Sequence, residues 1–378
     1  MRICYIHTAD FRKHKGSSIH AKELVKHLST FHTITLLVDR WDGSPLEGVR
    51  IVEMKCPQLC NVVWRVLYSI VYVTSILLSG SDLLYAKSPI EGSIAGFVGY
   101  LFRIPLIYEV NGLIEEEARM KGEGKFRVLT SSILEKCAIN YAHHLISVTP
   151  WIKETLISRR VPDAKVTVIE NGADPNLFQP VDHGKERLHL DPKTFHVGYV
   201  GTLKEWQGLD HVLAALPFIL EEMPETKVLI VGGGELMDKL RQSIKDVHSY
   251  VTLTGEVSHE EVPLYISACD VCMLLKKPLS SGYSPLKLYE YLACERPVIA
   301  SRVKGFECLE REKAGILVDQ NNPQEVAVAA VTLLRDENLR KTMGKNGRAF
   351  VLNAHTWEKV AQEVSEVVVA LDIKRKAR

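Results

Sequence analysis

The chain of 378 residues carries 47 Lys and Arg against 46 Asp and Glu. Its net charge of +1 argues against a basic groove covering the protein, because phosphate-backbone binding draws on clustered cations; a local basic patch stays open, and no nucleic-acid partner is expected. With 46% hydrophobic and 25% charged residues it is neither a disordered segment nor a collagen-like or disulfide scaffold, and at roughly 150 residues per domain it is long enough for two.

Between Arg2 and His7 only Ile3-Cys4-Tyr5-Ile6 intervenes, too short for a signal-peptide core. The longest uncharged run, Val66 to Ser81, falls short of the roughly 20 apolar residues of a spanning helix. A cytoplasmic protein with its eight cysteines as free thiols is the expectation.

In chain order, β-branched runs predict strands over Arg2–His7, Thr33–Val38, Leu106–Glu109, Leu145–Val148 and Val166–Ile169. Helices lie between them. Ala21, Leu24, Val25 and Leu28 fall at i, i+3, i+4 and i+7, as do Leu134, Cys137, Ala138 and Tyr141. Trp64, Leu67, Val71, Thr74 and Leu78 give a helix over 62–79 one apolar stripe beside Arg65, either a sheet-covering face or a weak membrane-surface contact.

The polar stretch Gln179–Asp191 lacks apolar periodicity and carries Pro and Gly, so it marks a domain break. The alternation then restarts with strands over His196–Val200, Lys227–Val231, Val251–Thr254, Val271–Leu275 and Pro297–Ala300. A helical stretch runs from Pro323, and a last helix from Thr356 to about Ile373. Two such series imply an α/β protein of two doubly wound parallel-sheet domains. Cys269 and Cys272 form a C-x-x-C, but without a second Cys or His pair at zinc spacing they read as buried strand residues.

In open parallel sheets, ligands bind where strands end and helix N-termini present free N–H groups. Gly201 follows one predicted strand, and Gly232-Gly233-Gly234-Glu235 follows another; either could be tight chain reversal alone. Met237 takes the last glycine position of a G-x-G-x-x-G, which argues against a nicotinamide site. In SSGYSPLKLYEYLACERPVIAS, Ser284-Pro285 predicts an N-cap followed by Pro at the first helical position, with Leu286, Tyr289, Leu292 and Ala293 buried. Lys287 in that first turn opposes the helix dipole, so either it answers an anion or it is a solvated cation, with Glu290 one turn on. In the first half, Arg12, Lys13, Lys15 and Gly16 precede Ser17-Ser18 caps, a basic loop that either lines a diphosphate or is simply solvated.

These residues resemble a retaining glycosyltransferase of the family 4 type, with the GT-B fold. SPLKLYEYLACERPVIAS is similar to that family's donor-binding helix, and ENGADPNLF at 170–178 to its NGVD-x-x-x-F element. VGTLKEWQGLDHVLAAL, VGGGE and TGEVSHEEVPLYISACDVCML resemble its nucleotide-pocket segments, while KGSSIHAKELVKHL fits its first helix and HTW the start of its last. The resemblance implies two Rossmann-like domains facing across a cleft, here 1–180 with a C-terminal helix of about 355–378, and 181–354. The first would serve the acceptor, the second a nucleotide-diphosphate sugar.

By the same resemblance Lys204, Lys287 and the amides around Ser284–Leu286, where Pro285 shapes the turn without a donor of its own, would hold the diphosphate, with Gly201 and Thr202 in the facing turn. Glu290 would take ribose hydroxyls, and Gly233, Glu235 and Val257 the base. Gly16, Glu109 and Asn111 would line the reacting sugar or a glycan, lipid-linked or small-molecule acceptor. No cofactor or metal is expected, and the localisation is cytoplasmic or peripheral at an inner membrane face. Three departures stand out: Gly282 replaces the first glutamate of E-x7-E, Thr202 an arginine and Gln207 a lysine. They leave open a sugar-nucleotide-binding protein without turnover, or an epimerase of the same fold.

Overall fold

The computed structural model describes residues 1–13, 16–54, 70–71, 73–78, 80–120, 122 and 124–376. The chain divides into two compact units, Met1–Glu170 with Trp357–Arg378, and Asn171–Thr356. In the first unit β1 (Arg2–Ile6), β2 (Thr33–Val38), β3 (Val49–Glu53), β4 (Leu83–Ala86), β5 (Leu106–Val110), β6 (His144–Ser147) and β7 (Val166–Val168) form one parallel sheet, in the order β3-β2-β1-β4-β5-β6-β7. In the second, β8 (Phe195–Val200), β9 (Thr226–Val231), β10 (Val251–Leu253), β11 (Val271–Leu274), β12 (Val298–Ser301) and β13 (Gly315–Val318) run in the order β10-β9-β8-β11-β12-β13. Both are the α/β, doubly wound Rossmann-like arrangement.

Three strands not named from the sequence, β3, β4 and β13, complete these sheets. β3 escapes pattern reading because it lies at the sheet edge and alternates weakly, with Arg50 and Glu53 inside it. Central strands are apolar on both faces because helices cover both: all five residues of β5 are buried. Each buried Leu, Ile or Val contributes about 1.5–3 kcal/mol, so a buried carboxylate in β5, Glu109, is an anomaly with a cost.

Helix entries follow sequence rules. Ser88, Thr149, Asn322 and Asp336 each accept a hydrogen bond from a backbone N–H of the helix they open, at about 1 kcal/mol apiece. The last helix, Trp357–Lys376, packs on the helix Gly16–Leu28 within the first unit, with Trp357 edge-on to His20 and Ser365 Oγ 2.9 Å from His32 Nε2.

Asn171–Phe178 belongs to the second unit, not the first, because Ala173 and Phe178 enter its core. The 62–79 stripe is corrected in part. Trp64, Arg65 and Leu67 lie outside the described residues. Val71 and Leu78 are 60% and 76% exposed, and the buried face is instead Val73, Ile76 and Leu77.

Each sheet reverses its winding between two neighbouring strands, β1 and β4 in one and β8 and β11 in the other. Crevices open at the carboxyl ends of such pairs, and the polar clusters of both units lie there.

Candidate active site

In the second unit, β8 ends at Val200, and Tyr291 Oη bonds both the amide and the carbonyl of Val200 at 2.8 Å. This ties the strand end to the helix Leu286–Ala293. Gly201, at φ +145°, follows. A β-carbon there would lie 1.8 Å from Lys287 Cε, so the lysine stem runs directly over the turn. Lys287 Nζ stands 5.7 Å from the Tyr199 ring centroid, and Lys204 Nζ 4.5 Å from that of Trp206. Neither lysine forms an ion pair among the described residues. Burial lowers the pKa of Lys287 and Lys204 adds to this, while Glu290 opposes it.

The sequence expectation for Ser284 is overturned in detail. Pro285 holds the cap position, and the helix has no side-chain cap. Ser284 is drawn toward Asn171, whose amide N–H donates to Ser284 Oγ (3.0 Å) and whose Nδ2 donates to the Ser284 carbonyl (2.5 Å). The leading amides of the helix are therefore left without a side-chain acceptor at its positive end. Leu286 is half-buried, while Leu288 and Tyr291 join Tyr289, Leu292 and Ala293 in the core. Glu290 is also half-buried.

The two segments assigned to a base meet each other: Gly232 and Gly255 form an antiparallel bridge, the Gly232 N–H donating to the Gly255 carbonyl at 2.8 Å. Gly233 lies against Glu256, Glu235 is exposed, and Val257 rests on the core. Thr202 is exposed, its carbonyl accepting from Tyr199 Oη at 2.8 Å. Gln207 is buried with Oε1 lacking a hydrogen-bond partner.

Sequence reasoning missed Lys276. It follows β11 by two residues and is 6% exposed, with Nζ 4.5 Å from the Tyr283 ring centroid. Only its place beyond a predicted strand end could have signalled it.

In the first unit the crevice between β1 and β4 holds a polar cluster. Glu109, 2% exposed, accepts from Tyr85 Oη (2.5 Å) and from Asn111 Nδ2 (2.7 Å); His20 Nε2 lies 3.3 Å and Lys87 Nζ 3.7 Å away. Burial alone would raise its pKa. The charges of His20 and Lys87 with the bonds from Tyr85 and Asn111 outweigh that and take it to about 2. Burial lowers Lys87 to about 8 against the pull of Glu109 and Glu91.

Glu91 closes a capping box with Ser88 and also accepts from Thr8 N and Oγ1, pinning the end of β1. The expectation that Glu109 itself lines a substrate is thus corrected: its oxygens are engaged internally, and it presents the exposed Asn111 instead. Gly16 is the first residue of its helix and exposed. Arg12 is held bidentately by Asp10 at 2.7 and 2.8 Å, while Lys15 lies outside the described residues. Cys269 and Cys272 are buried thiols.

Residues 14–177 match Glycosyltransferase Family 4, and residues 194–336 match Glycosyl transferases group 1. An uncharacterised glycosyltransferase of Methanocaldococcus jannaschii is 25% identical over 93% of this chain and 93% of that protein. A GDP-mannose-dependent alpha-(1-6)-phosphatidylinositol monomannoside mannosyltransferase of Mycobacterium tuberculosis is 27% identical over 60% of this chain and 62% of that protein. The Anabaena protein HepE, solved with UDP-glucose, superposes with a TM-score of 0.80 at 19% identity, covering 98% of this chain and all of that one. The chain belongs to the family 4 type of glycosyltransferase, with the GT-B fold.

Proposed function

We propose that the protein transfers a sugar from a nucleoside-diphosphate sugar to an acceptor hydroxyl with retention of anomeric configuration. The observation that carries this is the pair Lys204 and Lys287, neither in an ion pair among the described residues, beside a helix start that has no side-chain cap. Breaking the bond from sugar C1 to the phosphate oxygen leaves a diphosphate, and preorganised donors at that oxygen are the main lever on the barrier. The new bond forms from C1 to the acceptor oxygen on the same face, and the acceptor proton passes to the departing phosphate. The lysines and helix amides supply the charge that a divalent metal supplies elsewhere, so turnover is independent of added metal. Glu290 takes ribose hydroxyls and the 232–235 and 254–258 segments the base, while Asn111 serves the acceptor side.

The acceptor is a glycan, a small molecule or a lipid-linked sugar, and one observation favours the last. On the helix Lys125–Tyr141, Phe126 (80% exposed), Leu129 and Ile133 share one exposed face, and Phe97, Tyr100 and Leu101 are exposed on the neighbouring helix Pro89–Phe102. An apolar surface beside Lys125, Arg127 and Arg103 suits an anionic membrane face. No helix among the described residues is long and apolar enough to cross a membrane.

Proton NMR of the anomeric region with UDP-, GDP- and ADP-sugars, with and without a panel of acceptors, tests the reading. Acceptor-dependent release of the nucleoside diphosphate with an unchanged anomeric configuration supports it. Conversion of the donor without an acceptor would make the protein an epimerase, and binding without turnover a sugar-nucleotide-binding protein.

A further inference from the structure

Lys276 is a buried cation that no motif singled out. A surface lysine stretches its head into water, yet here the head lies under the Tyr283 ring, and that ring is fixed. It stacks on Phe306 at 5.8 Å and 9°, its hydroxyl donates to the Lys277 carbonyl at 2.6 Å, and its N–H donates to the Lys304 carbonyl at 2.9 Å.

The turn after β8 brings Lys276 to the donor site. A β-carbon on Gly208 would lie 1.7 Å from the Leu275 carbonyl oxygen, just as one on Gly201 would lie 1.8 Å from Lys287 Cε. One turn therefore packs at one end on the residue before Lys276 and at the other on the stem of Lys287. Burial lowers the pKa of Lys276 to about 7, and the charge of Lys287, from the helix Leu286–Ala293, adds to this; Lys276 forms no ion pair among the described residues. Buried charges are ordinarily paired; Glu290 answers Lys287, but Lys276 has only the repulsion of Lys287 beside its burial, so its head marks the seat of an anion.

We propose that Lys276 is a third diphosphate-binding residue of the donor site, closing on the anion from the β11 side opposite Lys287. This rests on the donor reading above. It also supplies a cation where the family's arginine and lysine are Thr202 and Gln207.

The experiment is calorimetric titration of wild type, Lys276→Met and Lys276→Gln with UDP, GDP, ADP and the corresponding nucleosides. For whichever diphosphate wild type binds, both variants are expected to weaken binding roughly 10- to 100-fold, the loss typical of a hydrogen bond to a charged group, and to leave nucleoside affinity unchanged. Their ligand-free melting temperatures should equal or exceed that of wild type, because the buried charge is gone.

Wild type should also take up protons on binding at pH 8, where the nucleotide phosphates are already ionised, and the variants should take up fewer. Diphosphate affinity within twofold of wild type in a folded variant, or equal loss for nucleoside and diphosphate, would overturn the proposal. Should one variant not fold, the other and the wild-type proton uptake decide it. Absence of any diphosphate binding by wild type would instead bring down the donor reading itself.

Discussion

Lys287 occupies the space that a side chain on Gly201 would need: a β-carbon there would stand 1.8 Å from its Cε and 2.8 Å from its Nζ. At φ +145° the turn is open only to glycine. The first residue after β8 and the first turn of the helix Leu286–Ala293 thus fix each other, and an ammonium is held over the strand end.

Gly201→Ala should therefore displace Lys287 while adding backbone strain of about 1–3 kcal/mol. The expected outcome is a folded protein, melting several degrees lower, whose nucleoside-diphosphate affinity falls at least tenfold by calorimetry. Unchanged affinity would show that Lys287 does not act from this position.

Glu109 answers both Lys87 and His20 from inside a strand. Glu109→Gln removes the counter-charge nearest His20 and leaves Lys87 with Glu91 alone, a loss of up to about 3–5 kcal/mol as for a broken buried pair. Urea unfolding followed by circular dichroism should record that loss, with the midpoint well below that of wild type. A midpoint near that of wild type would mean the cluster is not ionised as described.

His355 stacks on Tyr289 at 4.7 Å, and its Nδ1 lies 3.2 Å from the Asn171 carbonyl; burial lowers its pKa to about 4. Below pH 6.5 an unfolded chain binds a proton there that the folded chain refuses, so the stability it contributes is present above 6.5 and is lost as the pH falls toward 4. The loss is about 3 kcal/mol. Thermal melts from pH 7 to 4 should show it, and His355→Gln should flatten the curve in that window. A parallel decline in the variant would assign the acid sensitivity to other groups.

What the sequence made legible follows from physics that acts locally. Buried strands announced themselves as apolar runs, and Ala21, Leu24, Val25 and Leu28 are all buried as their spacing demands. The helix Leu286–Ala293 and Lys287 stood out because a cation opposes the dipole at a helix start. What stayed hidden depends on distant partners. Ser284 has the right identity for an N-cap, but Asn171, far off in sequence, claims it. Lys276 reads as one of two lysines after a strand until the fold buries it under Tyr283. Glu109 looked like a lining residue, and only its engagement with Tyr85, Asn111, His20 and Lys87 shows it as the support for Asn111.

The exposed face of Phe126, Leu129 and Ile133 predicts association with anionic vesicles. In flotation the protein should rise with vesicles rich in phosphatidylserine and stay down with neutral ones. Phe126→Ser combined with Leu129→Ser should abolish the effect without lowering the melting temperature. Absence of flotation on any vesicle would dismiss the lipid-linked reading of the acceptor.

On the proposed reading, the second unit binds a nucleoside diphosphate through cations at the β8–β11 crevice. Melting wild type and Lys287→Ala with UDP, GDP and ADP tests it most directly. At a hundred times its dissociation constant a ligand adds about 2.7 kcal/mol, or roughly 5 °C for a domain of this size. Such a rise is expected with one base in wild type, with little or none in the variant. No rise with any of the three, or an equal rise in both proteins, would contradict it.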